Sequence, residues 1–174
     1  SGVRWEISED GKTLIQPLSS IKGLGMTAIQ QIIDNRPFSK IEEFLFNDNI
    51  IYSKLNKKAV SALCLSQALN CLTDERFSGM KHFWSAVAVE RPRKEKNLEE
   101  NIEKFEPEGD FSDEEKLQYL VDLVGIFPMS TVMNEQLQSK IDELMIPPIS
   151  EFDAELQVCW FIPREVLQKK TKNG

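Results

Sequence analysis

The stretch Ile21-Lys22-Gly23-Leu24-Gly25 sets two glycines around one apolar residue, and Ala28 follows inside a helical pattern. The first glycine can take a positive φ without steric penalty, so the chain can reverse within two or three residues. The second opens the next helix with no side chain over its backbone N–H groups. A helix start carries unpaired donors and a partial positive charge, which suits a phosphate. Leu24, between the glycines, is placed to plug the groove between two helices.

The flanks strengthen this reading. Pro17 suits a first helical position, so Pro17 to Lys22 reads as a short helix. Met26, Ile29, Ile32 and Ile33 recur at helical spacing through Asn35, with Ala28 inward-compatible, and Pro37 stops the helix. Short helix, glycine-hinged turn, helix, stop: this is a helix-hairpin-helix pattern.

The bulk composition limits what such a pattern can do. The 174 residues allow one domain or two small ones, and a hydrophobic content of 41% supports a core. No apolar run approaches the roughly 20 residues of a membrane span, and no charged-then-apolar leader opens the chain, so no membrane partner is expected. Ser1-Gly2 resembles a cloning remnant, which would place the natural N-terminus upstream. Cys64, Cys71 and Cys159 form no Cys-x-x-Cys pair and sit among apolar neighbours. Buried, reduced thiols and a cytoplasmic setting are expected. The lone His82 cannot build a zinc site by itself and reads as an ordinary helix residue. The net charge of −7 argues against wholesale nucleic-acid binding. Residues 19–60, however, carry six cations against four anions, and they hold the glycine turn.

Along the chain, Val3 to Ile7 alternates in polarity, Asp10-Gly11 is a hairpin turn, and Thr13 to Ile15 reads as the return strand. Ser39 with Glu42 forms a capping box for a helix from Lys40 to Phe46, and Asn47 to Ser53 reads as a loop. Asn56 is the expected N-cap of a helix whose inner face is Ala59, Val60, Leu63 and Cys64. This helix stands where a second hairpin unit belongs, but the turn at Ser66-Gln67-Ala68-Leu69 lacks glycines. Lys54, Lys57 and Lys58 at its start can hold a phosphate as point charges or remain solvated. Phe77 to Val89 reads as a further helix. Residues 95–115 are acidic and read as a linker with at most a short helix at Leu98–Phe105. Ser112 with Glu115 caps a helix through Leu117, Leu120, Val121 and Val124 that ends at Gly125. Asn134 to Leu144 is one more helix, closed by Pro147-Pro148. Val158, Trp160 and Ile162 alternate with Cys159 and Phe161 as a buried strand, with Pro163 at an edge. Asn173-Gly174 is a hairpin signal, so the chain is expected to stop at a hairpin tip.

The order of these pieces resembles the family C replicative DNA polymerases, the family of the bacterial DNA polymerase III alpha subunit. Ser20-Ile21-Lys22-Gly23-Leu24-Gly25 with Ala28 and Ile32-Ile33 resembles the family's Ile-Lys-Gly-Val-Gly motif. Pro37-Phe38, Ile41-Glu42-Glu43-Phe44, Leu55-Asn56-Lys57-Lys58, Phe111 to Gly125 and Lys170 to Gly174 resemble the segments that follow it. The resemblance covers nearly the whole chain. It implies a mainly α fold: a tandem helix-hairpin-helix domain with a small N-terminal β-hairpin and a C-terminal strand from a truncated OB domain. The expected organisation is a hairpin lead-in at 1–16, a helix-hairpin-helix DNA-binding domain at 17–90 with a degenerate second hairpin, an acidic linker at 91–111, a helical connector at 112–150 and the first OB strand at 151–174.

The resemblance implies that this region holds the sugar-phosphate backbone of duplex DNA behind an active site that lies elsewhere in the polymerase. Lys22, Gly23, Leu24, Gly25, Thr27, Lys54, Asn56, Lys57 and Lys58 are the expected DNA-contact residues. No catalytic or metal-binding residues are expected in the chain; Mg2+ belongs to the parent polymerase. The motif class also implies a monovalent cation on the hairpin carbonyls. The rest of the polymerase is an implied partner. So is a sliding clamp, through a peptide whose nearest match is Asn101-Ile102-Glu103-Lys104-Phe105, with Asn101, Ile102 and Phe105 as its contacts. This stretch has Asn where the family has Gln. Phe127-Pro128-Met129-Ser130 departs from the family's Ser-Gly-His-Pro-Leu, a divergence that fits a phage-encoded polymerase. The rival reading is a protein-interaction scaffold that docks the clamp or another replisome protein. An enzyme such as a nuclease finds no His, Cys or paired-carboxylate chemistry to support it.

Overall fold

A computed structural model of the chain describes residues 2–125, 133, 135–153, 155 and 158–161. Among them the fold is mainly helical, with one two-stranded antiparallel hairpin. The hairpin pairs β1 (Glu6–Ile7) with β2 (Leu14–Ile15), placing Glu6 opposite Ile15 and Ile7 opposite Leu14. Among the described residues seven α-helices follow: α1 (Met26–Asp34), α2 (Ile41–Leu45), α3 (Lys57–Leu65), α4 (Met80–Trp84), α5 (Glu95–Lys104), α6 (Asp113–Val124) and α7 (Glu135–Glu143). The chain divides into two units, Ser1–Phe127 and Pro128–Gly174.

In the first unit the helices close around Ile29, Ile41, Phe44, Leu55, Leu63, Phe83 and Leu98, all essentially inaccessible to solvent. Phe38 meets Phe44 edge-on at 5.4 Å, and Phe77 meets Phe83 at 4.9 Å. The apolar spacing of α1 buries Ala28, Ile29 and Ile32 as the periodicity requires. Met26, expected on that face, is 56% exposed, because it opens the helix at the turn rather than over the core. α3 begins at the expected N-cap: the Asn56 side chain accepts the Ala59 N–H at 3.1 Å. α6 shows both halves of the Ser112–Glu115 capping box and ends at Gly125 in the left-handed region.

Several expectations need correction. The segment before the glycine turn is a single 3₁₀ turn, Leu18–Ser20, with Pro17 just outside it in extended conformation. α2 starts one residue later than expected. Lys40 is its N-cap, and the Ser39 N–H donates to Glu43, not Glu42. Glu42 instead pairs with Arg76 at 2.7 Å, and Arg76 also reaches Asp74 and Glu99. The helix expected from Phe77 begins at Met80 and continues as a π-helical turn, Ser85–Val89. Residues 95–104 of the expected linker form α5, which packs on that π turn. Leu98 is fully buried there, so truncating it should cost the ~2–5 kcal/mol of a core site. Cys64 is buried, but Cys71 is exposed.

In the second unit, α7 is followed by Pro147 and Pro148, and Pro148 forms an isolated parallel bridge with Trp160. The Ile149 N–H donates to the Trp160 carbonyl at 2.9 Å, and the Trp160 N–H donates to the Pro147 carbonyl at 3.0 Å. Val158 and Phe161 are exposed, so the described part of the expected buried strand is neither buried nor paired beyond that bridge. Asn134, residues 127–130, Leu156, Ile162 to Pro163 and the terminal hairpin at 170–174 lie outside the described residues.

Candidate nucleic-acid interface

The turn takes the form its spelling calls for. Gly23 has φ +91°, a region that costs other residues about 1–2 kcal/mol. Leu24 is buried between the flanking segments, and its N–H closes the turn onto the Ile21 carbonyl at 3.2 Å. Gly25 is the N-cap of α1, with ordinary extended angles of φ −79° and ψ 151°. A Cβ built there meets nothing within 4 Å, so neither backbone strain nor packing requires glycine at this position. A side chain at the N-cap would, however, stand over the first N–H groups of the helix. Gly25 leaves them bare, and Met26 and Thr27 beside it are exposed.

The start of α3 comes to the same place. Lys22, Asn56, Lys57 and Lys58 line one open cleft of about 580 Å³, floored by Ser61, Ala62, Leu65 and Leu123. A Cβ at Gly23 would lie 3.6 Å from the Lys58 Cε, so the Lys58 stem runs along the turn. Leu123 belongs to α6, and its carbonyl accepts the Lys22 N–H at 2.7 Å, tying the turn to a residue 101 positions further along. Of the expected contact residues, Lys22, Gly23, Asn56, Lys57 and Lys58 are therefore brought together. Thr27 and Lys54 are exposed but do not line the cleft, and the Asn56 side-chain oxygen is spent on the helix cap.

The charged groups of the cleft are cations. α2, α5, α6 and α7 carry acidic residues in their first turns, which suits the helix dipole; α1, α3 and α4 carry none. α3 instead begins with Lys57 and Lys58 on its positive end. Among the described residues no carboxylate pairs with Lys22, Lys54, Lys57 or Lys58, as with most cations of this chain; Arg76, Lys96, Lys104 and Lys116 are those with acidic partners. Cations at a helix N-terminus cost about 0.3–1 kcal/mol each unless an anion joins them.

The second turn differs. Gln67 takes a left-handed φ of +64°, the role Gly23 plays in the first turn. Its donors are already used: the Gln67 N–H reaches the Cys64 carbonyl, Ala68 reaches Leu63, and Asn70 reaches Gln67, at 3.0–3.2 Å. A phosphate there would find these N–H groups occupied.

Other polar residues proved structural in ways the sequence did not signal. Asn101 is buried, and its amide donates to the carbonyls of Ala86 and Glu90 at 2.9 and 2.6 Å. The Ala86 carbonyl belongs to the π turn and the Glu90 carbonyl lies just past its end, so Asn101 ties α5 to the end of that turn. Ile102 packs against the core, and Phe105 is half-buried under the Lys104 ammonium. His82, expected to be an ordinary helix residue, is buried. Its Nδ1 accepts the Ser78 N–H at 3.1 Å, which makes Nε2 the donor to the Ile102 carbonyl at 2.9 Å. Among the described residues no cluster of His, Cys, Asp or Glu could hold a metal ion, and no helix is long and apolar enough to cross a membrane. A hairpin-bound monovalent cation would need turn carbonyls. Those of Ile21 and Gly25 accept the Leu24 and Ile29 N–H groups, which leaves one lone pair on each.

Residues 1–95 match the helix-hairpin-helix motif family, and the chain belongs to that family. Membership points to sequence-independent DNA binding. The match ends before α6, which supplies Leu123 to the cleft. A comparison with curated proteins finds no match.

Proposed function

We propose that the chain holds duplex DNA by its sugar-phosphate backbone, as an accessory segment of a family C replicative DNA polymerase. The observation that carries this reading is the gathering of Lys22, Lys57 and Lys58, which have no carboxylate partner among the described residues, at the Gly23 turn and the cationic start of α3. A phosphate in the cleft would meet the three ammonium groups and offset their mutual repulsion, and the bare N–H groups at the nearby start of α1 would hold a neighbouring phosphate. None of these groups faces a base edge by necessity, so affinity should be indifferent to sequence. Each neutralised phosphate adds about 0.9 to the salt slope, and two or three contacts place the isolated chain near ~10⁻⁴ M or weaker. Attachment to a polymerase raises the effective concentration of DNA, and a weak grip then contributes to processivity.

The Mg2+ that a polymerase requires finds no carboxylate cluster among the described residues, so no step in this segment runs through it. The rival clamp-docking reading gains nothing from the structure, since the Asn101 amide is committed to the π turn. Fluorescence anisotropy with labelled duplexes of unrelated sequence at low salt tests the proposal. Lys22→Ala and Lys58→Ala should each weaken binding equally across sequences and reduce the salt slope by about 0.9. Folded variants that bind as the parent does would refute it.

A further inference from the structure

Arg91 is 8% exposed, yet no carboxylate pairs with it among the described residues. The adjacent Glu90 is held by Lys104 at 2.8 Å. Arg91 Nη1 donates to the carbonyls of Leu55 and Tyr52, and Nε has no hydrogen-bond partner. The guanidinium lies 4.0 Å from the Tyr52 ring centroid. Arg93 approaches the same ring at 5.0 Å, so the two guanidinium carbons are no more than about 9 Å apart. Arg93 is exposed and likewise has no acidic partner among the described residues.

Buried charges are ordinarily paired, and like charges ordinarily avoid one another. Here two guanidiniums converge on one half-open tyrosine with no anion between them. Desolvation lowers the Arg91 pKa below the usual arginine value, as expected for a cation lacking a counter-charge. The location gives the arrangement a use. Tyr52 and Leu55 belong to the loop that delivers Lys54 and the Asn56 cap, so the arginine pair adjoins the start of α3.

We propose that Arg91 and Arg93, stacked on Tyr52, form a second phosphate-contact point that extends the DNA backbone track beyond the glycine-turn cleft. This rests on the DNA-binding reading above. Arg93 makes the direct contact from the surface. Arg91 fixes the ring and loop and adds its uncompensated charge to the local field. The class of ligand is a nucleic-acid phosphate of the same duplex held by the cleft.

Anisotropy titrations with the full chain and a labelled duplex between 50 and 200 mM salt provide the test. Arg93→Gln removes one phosphate contact without disturbing a buried group. Its salt slope should fall by about 0.9, so the parent should lose about 3.5-fold more affinity than the variant over that range. NMR cross-peaks of the Arg91 and Arg93 Nε–H groups should shift when duplex is added. If Arg93→Gln keeps the parental slope and affinity while Lys22→Ala weakens binding, the second contact is overturned and the cleft survives. Unmoved arginine cross-peaks with bound duplex overturn it equally. A parent chain that binds no duplex at all overturns both readings.

Discussion

Replacing Gly25 with Asp separates the folding role of the turn from its phosphate role, because the two readings predict opposite signs. At φ −79° and ψ 151°, with no atom within 4 Å of the new Cβ, an aspartate fits without strain. It is a better N-cap than glycine by a few tenths of a kcal/mol, and its charge favours the positive end of α1 by about 0.3–1 kcal/mol. The variant should therefore be more stable by about 0.5–1 kcal/mol. For a chain of this length that raises Tm by roughly 1–4 °C. The same carboxylate would occupy the donors a phosphate needs and repel the phosphate itself. DNA binding should be lost, not merely reduced. Gly109→Asp, on an open loop position with no neighbour within 4 Å and outside the cleft, adds the same charge as a control. Gly23→Ala gives the complementary result. Its Cβ would make only ordinary contacts with Lys58 and Ala62, but φ +91° costs about 1–2 kcal/mol, so Tm should fall by about 2–8 °C. Thermal melts followed by circular dichroism and anisotropy at low salt read both effects. A Gly25→Asp protein that is more stable and still binds duplex like the parent would refute the placement of phosphate at this helix start.

Two further outcomes concern the scaffold. Desolvation alone would raise the Asp110 pKa, but hydrogen bonds from Lys116 and the Lys81 N–H outweigh it and hold the carboxyl below its usual range. A depressed carboxylate pKa stabilises above its unfolded value of about 3.9 and loses that contribution as pH falls through the folded value. Asp110→Asn should thus be less stable than the parent at pH 7, and the gap should narrow as pH falls below about 3.9; a gap in urea melts that stays constant as the pH is lowered would contradict this. Burial pushes the Cys64 thiol well above its ordinary pKa, whereas Cys71 is exposed. Because the thiolate is the reacting form, a thiol reagent should label Cys71 in the native chain and Cys64 only on unfolding. Mass spectrometry finding Cys64 modified under native conditions would count against the packing described here.

The parts of this fold legible in the sequence were those governed by local rules. The Gly23 turn, the Asn56 cap and the Ser112–Glu115 box each need only a few neighbouring residues, and all three stand in the structure. The errors came where a distant partner decides. Glu42 was expected to cap its own helix, but Arg76, from beyond α3, captures it and leaves Glu43 for the Ser39 N–H. Residues 95–104 looked too polar to pack, since their mean composition hides the single column of Leu98 and Asn101 on the buried side of α5. The cleft was half legible. The lysines were identifiable as cations near a turn, but Leu123 and its bond to the Lys22 N–H span 101 residues, a pairing no local pattern encodes.

The contrast between the two turns explains why the cleft is built asymmetrically. Both reverse the chain through a left-handed residue, Gly23 in one and Gln67 in the other. A glutamine can do this only with strain, and the second turn compensates by closing its N–H groups onto Cys64, Leu63 and Gln67 carbonyls. The helix that follows it is also closed to an outside anion. The Lys81 N–H of α4 donates to Asp110 at 2.7 Å, and a Cβ at Gly79 would come within 2.7 Å of that carboxyl, so the fold's own acid occupies the approach. Phosphate binding cannot then be shared between equivalent turns. On the proposed reading it passes instead from the first turn to the start of α3, the helix that leads into the second turn, where Lys57 and Lys58 would replace missing backbone donors with point charges. Point charges grip at longer range and with less geometric demand than N–H groups. The backbone donors of Gly25 should accordingly dominate orientation on the duplex, and the lysines its salt dependence.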